Sequence, residues 1–427
     1  MTEKKQYTIF ETFVGAGGSH IGFKNQNFKS VYVNDNNLDC IKTLLVNNPE
    51  INETAYIENK SIIDINVKNV LNEIKLSKGE LDVMFGGIVC KGFSLAGERS
   101  PNDERNYFYH KQLELVDELK PKISIIENVK AFINGKVLSE KTPEEIKKKV
   151  DFIWQELENY KGQKAELRKK NNLTKDFLNK GIFLKKNKDE LIDILEKNNY
   201  LISVIEDLYK IYDKIGYNVS HKILNTAWYG AATKRERIIV VATRKDLTND
   251  FNYPIPKYNS EEITTKLDFK NIKDNIKFLK PITIGDVFKK INYDDKDDFD
   301  NIPMKHTQKT VDRFKFIKPG GNVQDIMEEL PNDLKVSNFY SRGSTMRLDL
   351  DSLAPTLVPG HSNFPLHPIE NRSITVREAA VITGFPLDYK FIGNHTKRCE
   401  HVGNAVPPPL AEAIAKECVK YLDRQKI

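Results

Sequence analysis

"YTIFETFVGAGGSH", residues 7–20, decides how the chain is read. Its first seven residues are β-branched, aromatic or alternating, as a strand requires, and they run straight into Gly15, Gly17 and Gly18. Glycines let a backbone turn tightly and approach a ligand closely, and the N-terminus of a following helix can face a carboxylate or phosphate. The spacing is not Gly-x-Gly-x-x-Gly, so a plain structural turn would look the same. Working outward, "SVYVND" (30–35) reads as a second strand with the helix-like "NLDCIKTLLVNN" after it. "LDVMFGG" (81–87), "KISIIEN" (122–128), an apolar segment near Ile223 and "RIIVVATR" (237–244) read as further strands. Strands alternating with helices predict an α/β chain with a parallel, doubly wound sheet, whose ligands gather at the strands' C-terminal ends. Gly15, Asp35, Cys90 and Glu127 all fall at such ends.

The bulk numbers set limits. At 427 residues, 39% hydrophobic and 30% charged, the chain can bury a full core and has room for two or three domains. "MTEKKQYTIF" turns directly into a strand, so no secretory leader is expected, and no apolar run nears the roughly 18–20 residues of a membrane span. Cys40, Cys90, Cys399 and Cys418 share no CxxC or CxxH spacing. Neither a zinc site nor a disulfide framework is expected, and a reduced cytoplasmic setting fits. The net charge of +6 permits a polyanionic partner without demanding one.

Each candidate residue carries a chemical reason. Cys90, in "GGIVCKGFS" (86–94), lies on a Gly-rich turn after a buried strand, where a thiol can be exposed for nucleophilic attack; an inert cysteine is equally compatible with the turn. Asp35 is placed to bind ribose hydroxyls or to cap a helix. No Walker lysine motif appears, so a nucleoside-type cofactor without a triphosphate is expected. Glu127, at a buried strand end, should have its pKa raised by desolvation, unless a salt bridge holds it. Arg235 and Arg237 alternate along a strand, so they share a face and require anionic or carbonyl partners there. Glu236, on the other face, is expected to be solvent-exposed.

Residues 135–200 turn charged and helical, and read as an inserted arm. Thr142-Pro143-Glu144-Glu145 supplies a helix start with a capping box, and Ile146, Val150, Ile153, Leu157 and Tyr160 follow at helical spacing. A second stripe, Leu201, Ile205, Leu208, Ile211 and Ile215, is expected to pack on the sheet. The lysines between the two stripes read as a solvated face. From 249 to 371 the sequence becomes irregular, with scattered Lys309, Arg313, Lys315, Lys318, Arg342 and Arg347, as in a separate smaller domain. The expected division is a catalytic domain over 1–248 carrying the 135–200 insertion, the smaller domain over 249–371, and 372–427 completing the first.

Taken in order, these segments resemble the DNA (cytosine-5) methyltransferase family. "FVGAGG" is similar to its cofactor loop and "GGIVCKGFS" to its nucleophile loop. "DERNYFYH" (103–110) resembles the segment after it, "ENV" (127–129) the carboxylate motif, and "YGAATKRERIIVVA" (229–242) the Gln-x-Arg-x-Arg strand. "REAAVITGFP" (377–386) and "VGNAVPPPLAEAIA" (402–415) resemble the two closing motifs. "RFKFIKPGGN" (313–322) and "SLAPTL" (352–357) resemble stretches flanking the family's target-recognition region.

The resemblance implies a Rossmann-like doubly wound domain dependent on S-adenosylmethionine, a smaller target-recognition domain, no metal, and double-stranded DNA as substrate. It implies that a flipped cytosine is attacked at C6 by Cys90, with Glu127 on the exocyclic amine and N3, Arg237 on O2 and Arg235 bracing the site. Phe13 would face adenine beside Gly15, Gly17 and Gly18. Asp35 would hold the ribose, Asn404 would lie near the methionine moiety, and Ile62 would flank the adenine with either Ser61 or Asp64. Lys91, Ser94, Lys309, Arg313 and Arg342 would meet DNA, mostly its phosphates. A prokaryotic restriction–modification or related defence setting, a cognate restriction endonuclease as functional partner and a monomeric state are expected.

Three departures stand out. Ile88-Val89 replaces Pro-Pro, Lys91 replaces Gln, and Ala232-Thr233 replaces Pro-Gln. A lysine at 91 would favour the Cys90 thiolate, yet would repel a sulfonium if it pointed at the cofactor. The competing readings are a DNA-binding relative without catalysis, a transferase using an anionic donor such as carboxy-S-adenosylmethionine, and an RNA substrate.

Overall fold

The computed structural model describes residues 5–88, 100–103, 107–248, 250–263, 277–337, 343–360 and 363–425. Its centre is a seven-stranded sheet. Five strands run parallel: β1 (Tyr7–Thr12), β2 (Phe28–Asn34), β3 (Tyr56–Glu58), β4 (Val83–Gly87) and β5 (Ile123–Val129). A short ladder of β6 (Lys136–Leu138) with β7 (Leu201–Ser203) stands apart. The last two strands of the sheet, β8 (Tyr217–Asn225) and β9 (Glu236–Arg244), complete the order β3-β2-β1-β4-β5-β9-β8. The order reverses between β1 and β4, which opens the crevice where ligands of such sheets bind.

One strand departs from the all-parallel expectation. β9 runs antiparallel to both β5 and β8. Only residues 226–235 join β8 to β9, too few for the crossover helix that a parallel pair requires.

Strand alternation sends residues to two apolar layers. Tyr7, Ile9, Val83, Phe85, Ile123, Ile125, Ile239 and Val241 pack under Leu410, Ile414, Cys418, Tyr421 and Leu422 of the C-terminal helix Pro408–Arg424. Phe10, Met84, Ile126, Ile238 and Val240 face Leu113 and Val116 of the helix Phe108–Leu119 and Val204, Leu208 and Tyr212 of the helix Val204–Lys214. The second helical stripe thus packs on the sheet, as its spacing implied. The C-terminal helix lies close against the helix Gly18–Asn25, because a Cβ on Gly22 would meet the Glu412 nitrogen at 2.3 Å.

The inserted arm is a pair of helices, Glu144–Lys169 and Lys175–Lys197, closed over Val150, Trp154, Leu191 and Leu195. Its start differs from the expected capping box. Pro143 occupies the N-cap, and the Thr142 hydroxyl donates instead to the Tyr200 carbonyl, tying the two ends of the arm together. The 249–371 region has a small core of its own, Phe314, Ile317, Val323, Leu330, Leu334 and Leu366. Ile284, Phe288, Leu348 and Leu357 join a different core with Ile374, Ala379, Ile382 and Val402.

His401 sits buried on the helix His395–Asn404, its Nδ1 3.5 Å from the Thr43 hydroxyl of the helix Leu38–Asn47. Burial pushes its pKa from 6.5 down to about 4, against the opposing pull of Asp39 and Glu400. An unfolded chain therefore takes up this proton first as pH falls. Stability from neutral His401 is present above pH 6.5 and lost as pH drops through about 4; the full loss is about 3 kcal/mol. Urea titrations of wild type and His401→Gln from pH 7 to 4 are expected to show this component in the wild type alone.

Candidate active site

Near its C-terminal end β5 carries Glu127, which pairs in register with Gly87 of β4 on one side and Ile239 of β9 on the other. Because β9 is reversed, its first residues meet the last of β5, and Arg237 lies opposite Val129. The Arg237 Nε contacts Glu127 Oε1 at 2.9 Å, with both side chains under 10% exposed. Burial pushes the Glu127 carboxyl above its ordinary value, opposed by Arg237 and Arg235. Arg237 also donates to the Glu236 carbonyl at 2.7 Å.

Arg235 precedes β9 and is likewise buried. Its Nη1 donates to the Gly403 carbonyl at 2.8 Å and the Leu357 carbonyl at 3.3 Å. Arg237 thus has an anionic partner and the Arg235 Nη1 two carbonyl partners, while the buried Arg235 Nε makes no hydrogen bond among the described residues. Glu236 is not simply solvated: its Oε2 accepts from Lys130 at 3.0 Å, and its Oε1 is buried.

The glycine loop follows β1. Phe13 holds a left-handed φ of 51°, a costly conformation for an aromatic residue, and its half-buried ring stacks near Phe108 at 6.0 Å. A Cβ on Gly17 would strike the Tyr389 hydroxyl at 2.6 Å, and one on Gly18 the Val406 carbonyl at 2.2 Å. Gly15, also left-handed, faces open space. Asp35 is not a helix cap; Asn37 is. Its Oδ2 accepts from the Gly15 N–H at 2.9 Å and its Oδ1 from the Asn37 N–H at 2.8 Å. Burial raises the Asp35 pKa, and these two N–H groups oppose that. Each carboxylate oxygen keeps a further lone pair for a ligand hydroxyl. An adenosine moiety fits this set: an aromatic face at Phe13, an open approach at Gly15 and a half-buried acceptor at Asp35.

The remaining expected residues divide. Ile62 is fully buried in the core that Phe13 borders, Asp64 is exposed and Ser61 half-buried. Asn404 is exposed at the end of its helix, next to the Gly403 that Arg235 grips. Lys309 is exposed. Arg313 is partly buried and donates to the Leu334 carbonyl at 2.6 Å, so part of its hydrogen-bonding capacity serves the local fold. Arg347 is buried and donates to the carbonyls of Ile317, Phe314, His367 and Glu370. It is a structural clamp rather than part of a basic surface. Cys90, Lys91, Ser94 and Arg342 lie outside the described residues.

Sequence reading passed over Asn128. Its Nδ2 donates to the Ile88 carbonyl at 3.2 Å, two residues before Cys90. A fully polar side chain at the end of a buried strand was the available signal. The departure at 232–233 is also braced. The Ala232 N–H donates to the Ile382 carbonyl at 2.9 Å, a bond that proline could not make, and the Thr233 hydroxyl donates to the Pro355 carbonyl at 2.9 Å.

The C-5 cytosine-specific DNA methylase profile matches residues 7–153 and 182–420. The Type II methyltransferase M.Eco47II of Escherichia coli is 26% identical over 98% of this chain and 80% of its own length. M.Sau96I of Staphylococcus aureus, also a Type II methyltransferase, is 26% identical over 99% and 78%. The crystal structure of a prophage-encoded DNA modification methyltransferase of E. coli matches 98% of this chain and 100% of its own, with a TM-score of 0.61 and 18% identity, a likeness of fold. A Rossmann-like methyltransferase sheet with a carboxylate and two arginines at its crevice defines the class. The chain belongs to the C-5 cytosine-specific DNA methylases, enzymes that methylate cytosine in DNA at C5.

Two substitutions test this framework. Arg237→Ala leaves Glu127 buried and unpaired, and is expected to destabilise by about 3–5 kcal/mol at neutral pH. The loss should shrink as pH falls toward 4.5, because a carboxyl with a raised folded pKa costs stability only where the unfolded chain ionises it. Ala232→Pro, although it restores the family residue, removes the bond to Ile382 and is expected to cost about 1–3 kcal/mol. Urea unfolding measures both.

Proposed function

We propose that the chain methylates C5 of a flipped cytosine in double-stranded DNA through a covalent bond between Cys90 and C6. The buried Glu127–Arg237 pair carries this reading: it sets a carboxylate and a guanidinium beside the strand that leads to Cys90. Cytosine C5 is a weak nucleophile. Addition of the Cys90 thiolate to C6 turns C4–C5 into an enamine-like system. Glu127 holds the exocyclic amine and N3 and favours a proton on the ring, which its raised pKa suits. Arg237 holds the cytosine O2, and Arg235 fixes the loop through Gly403.

Phe13, Gly15, Asp35, Ile62 and Asn404 hold S-adenosylmethionine, with Gly17 and Gly18 shaping the loop. When bound it supplies the sulfonium methyl that C5 accepts. Loss of the C5 proton and expulsion of Cys90 as thiolate then restore the aromatic ring. Flipping the base out of the stack costs a few kcal/mol, supplied by contacts to the DNA. Residues 249–371 read the target, Lys309, Arg313 and Arg342 hold phosphates of the duplex there, and Lys91 and Ser94 also meet the DNA. The relatives' Type II names support a prokaryotic restriction–modification setting; we further propose a cytoplasmic monomer with an endonuclease of the same specificity as its functional partner.

Bisulfite sequencing of DNA from expressing cells is expected to show 5-methylcytosine at one short motif, with mass spectrometry finding a plain methyl. A carboxymethyl group would replace the donor, and unmodified DNA would overturn the reading. Glu127→Gln is expected to slow transfer about 10²–10⁴-fold. A duplex with 5-fluorocytosine at the target should trap wild type covalently, since C5 then has no proton to lose, and should not trap Cys90→Ser.

A further inference from the structure

The charge of this chain is unevenly placed. Residues 161–188, the distal part of the helical hairpin, carry ten lysines and arginines against two carboxylates, a net +8. The whole chain carries +6, so all other residues together come to −2. The base of the hairpin is acidic instead: Glu144, Glu145, Asp151, Asp189, Asp193 and Glu196 lie there. Arg168, Lys169, Lys170, Lys175, Lys180, Lys185 and Lys186 are exposed. Two ion pairs that reach this cluster, Lys180–Glu156 at 3.9 Å and Lys186–Glu190 at 3.7 Å, are long and solvated. Residues 154–181 also fall between the two stretches that the family profile matches, so most of the tip is an addition to the common enzyme.

The root of the hairpin ties it to the site. It leaves the sheet from the turn Lys130–Asn134, directly after β5, the strand that carries Glu127, through β6 and β7. The Asp151 carboxylate accepts from Asn102 Nδ2 at 3.0 Å, and the Leu138 N–H donates to the Tyr107 hydroxyl at 3.2 Å. Both partners follow the nucleophile segment. A helix of 26 residues reaches about 39 Å from that root, the length of about 11 base pairs.

We propose that the basic hairpin tip is a second DNA-binding surface, holding the phosphates of duplex that flanks the target site about one helical turn away. It rests on the assignment of duplex DNA as substrate and adds to it a contact that the family's common fold lacks. The surface reads no bases. It raises affinity for long DNA, makes it steeply salt-dependent and keeps the enzyme on the duplex between sites.

The test compares wild type with a variant carrying Lys169→Gln, Lys170→Gln, Lys175→Gln and Lys185→Gln, whose exposed positions leave folding intact by circular dichroism. Two duplexes carry the motif found by sequencing, one trimmed to the site and one extended by more than about 20 base pairs on each side. On the long duplex the variant is expected to bind about tenfold more weakly near physiological salt, with its slope of log Kd against log salt reduced by about 3. On the trimmed duplex affinity and kcat should match wild type. Equal affinity and slope on the long duplex would overturn the proposal, leaving the lysines a solvated face. So would variant-sensitive binding found only with structured RNA, or only with anionic vesicles, for which the exposed Ile182 and Phe183 make a necessary control. A wild type that transfers no methyl yet shows the lysine-dependent slope would sink the catalytic reading while sustaining the arm.

Discussion

Glu127 and Arg237 lie buried side by side at the end of β5, and the rest of the molecule can be understood as what makes that possible. Removing two charges from water costs several kcal/mol each, and only close pairing with further hydrogen bonds offsets it. The pairing depends on strand direction. Arg237 is the second residue of β9, and the reversal of that strand sets it beside the last residues of β5. In a parallel arrangement the same residue would begin at the other end of the sheet, about 20 Å away. The short β8–β9 connection therefore does more than end the sheet, because it delivers the cation to the carboxylate.

A second dependence runs through the chain's far end. The Tyr389 hydroxyl donates to the Ala16 carbonyl, the missing side chain of Gly18 admits the Val406 carbonyl, and Arg235 grips Gly403. Ala16 and Gly18 of the glycine loop are thus fixed by segments nearly 400 positions away in sequence, and Arg235 by one 168 positions away. The sheet alone leaves the crevice unfinished. Long-range closure of this kind comes late in folding, since its entropy cost precedes its contacts.

Much of this was legible before the structure. The strands carry their own periodicity, and the glycine loop, Asp35 and Glu127 sit where any doubly wound sheet places ligands. Other features were out of reach for physical reasons. The reversal of β9 is set by a connection length, not by the strand's composition. Thr142 offers a capping-box pattern, yet Tyr200, from the far end of the arm, takes its hydroxyl. Arg313 and Arg347 are indistinguishable in sequence from phosphate-binding residues, and only their burial and carbonyl partners show a structural use. Asn128 gave a weak signal because its partner is a backbone carbonyl, which leaves no mark in sequence.

The lost prolines show how one constraint can replace another. A proline stiffens a loop by itself, removing freedom from the unfolded chain by about 0.4–1 kcal/mol, whatever surrounds it. Ala232 has no such effect, but its N–H finds the Ile382 carbonyl, a bond of comparable net worth. Ile88 similarly places its side chain in the core and its carbonyl on Asn128. The stability balance changes little; the source of rigidity changes completely. A proline loop is stiff before its surroundings assemble, whereas a hydrogen-bonded one is stiff only after the helix that ends near Ile382 has docked. In this chain the arginine strand is therefore ordered by the same C-terminal segment that closes the glycine loop, so both halves of the crevice become rigid together.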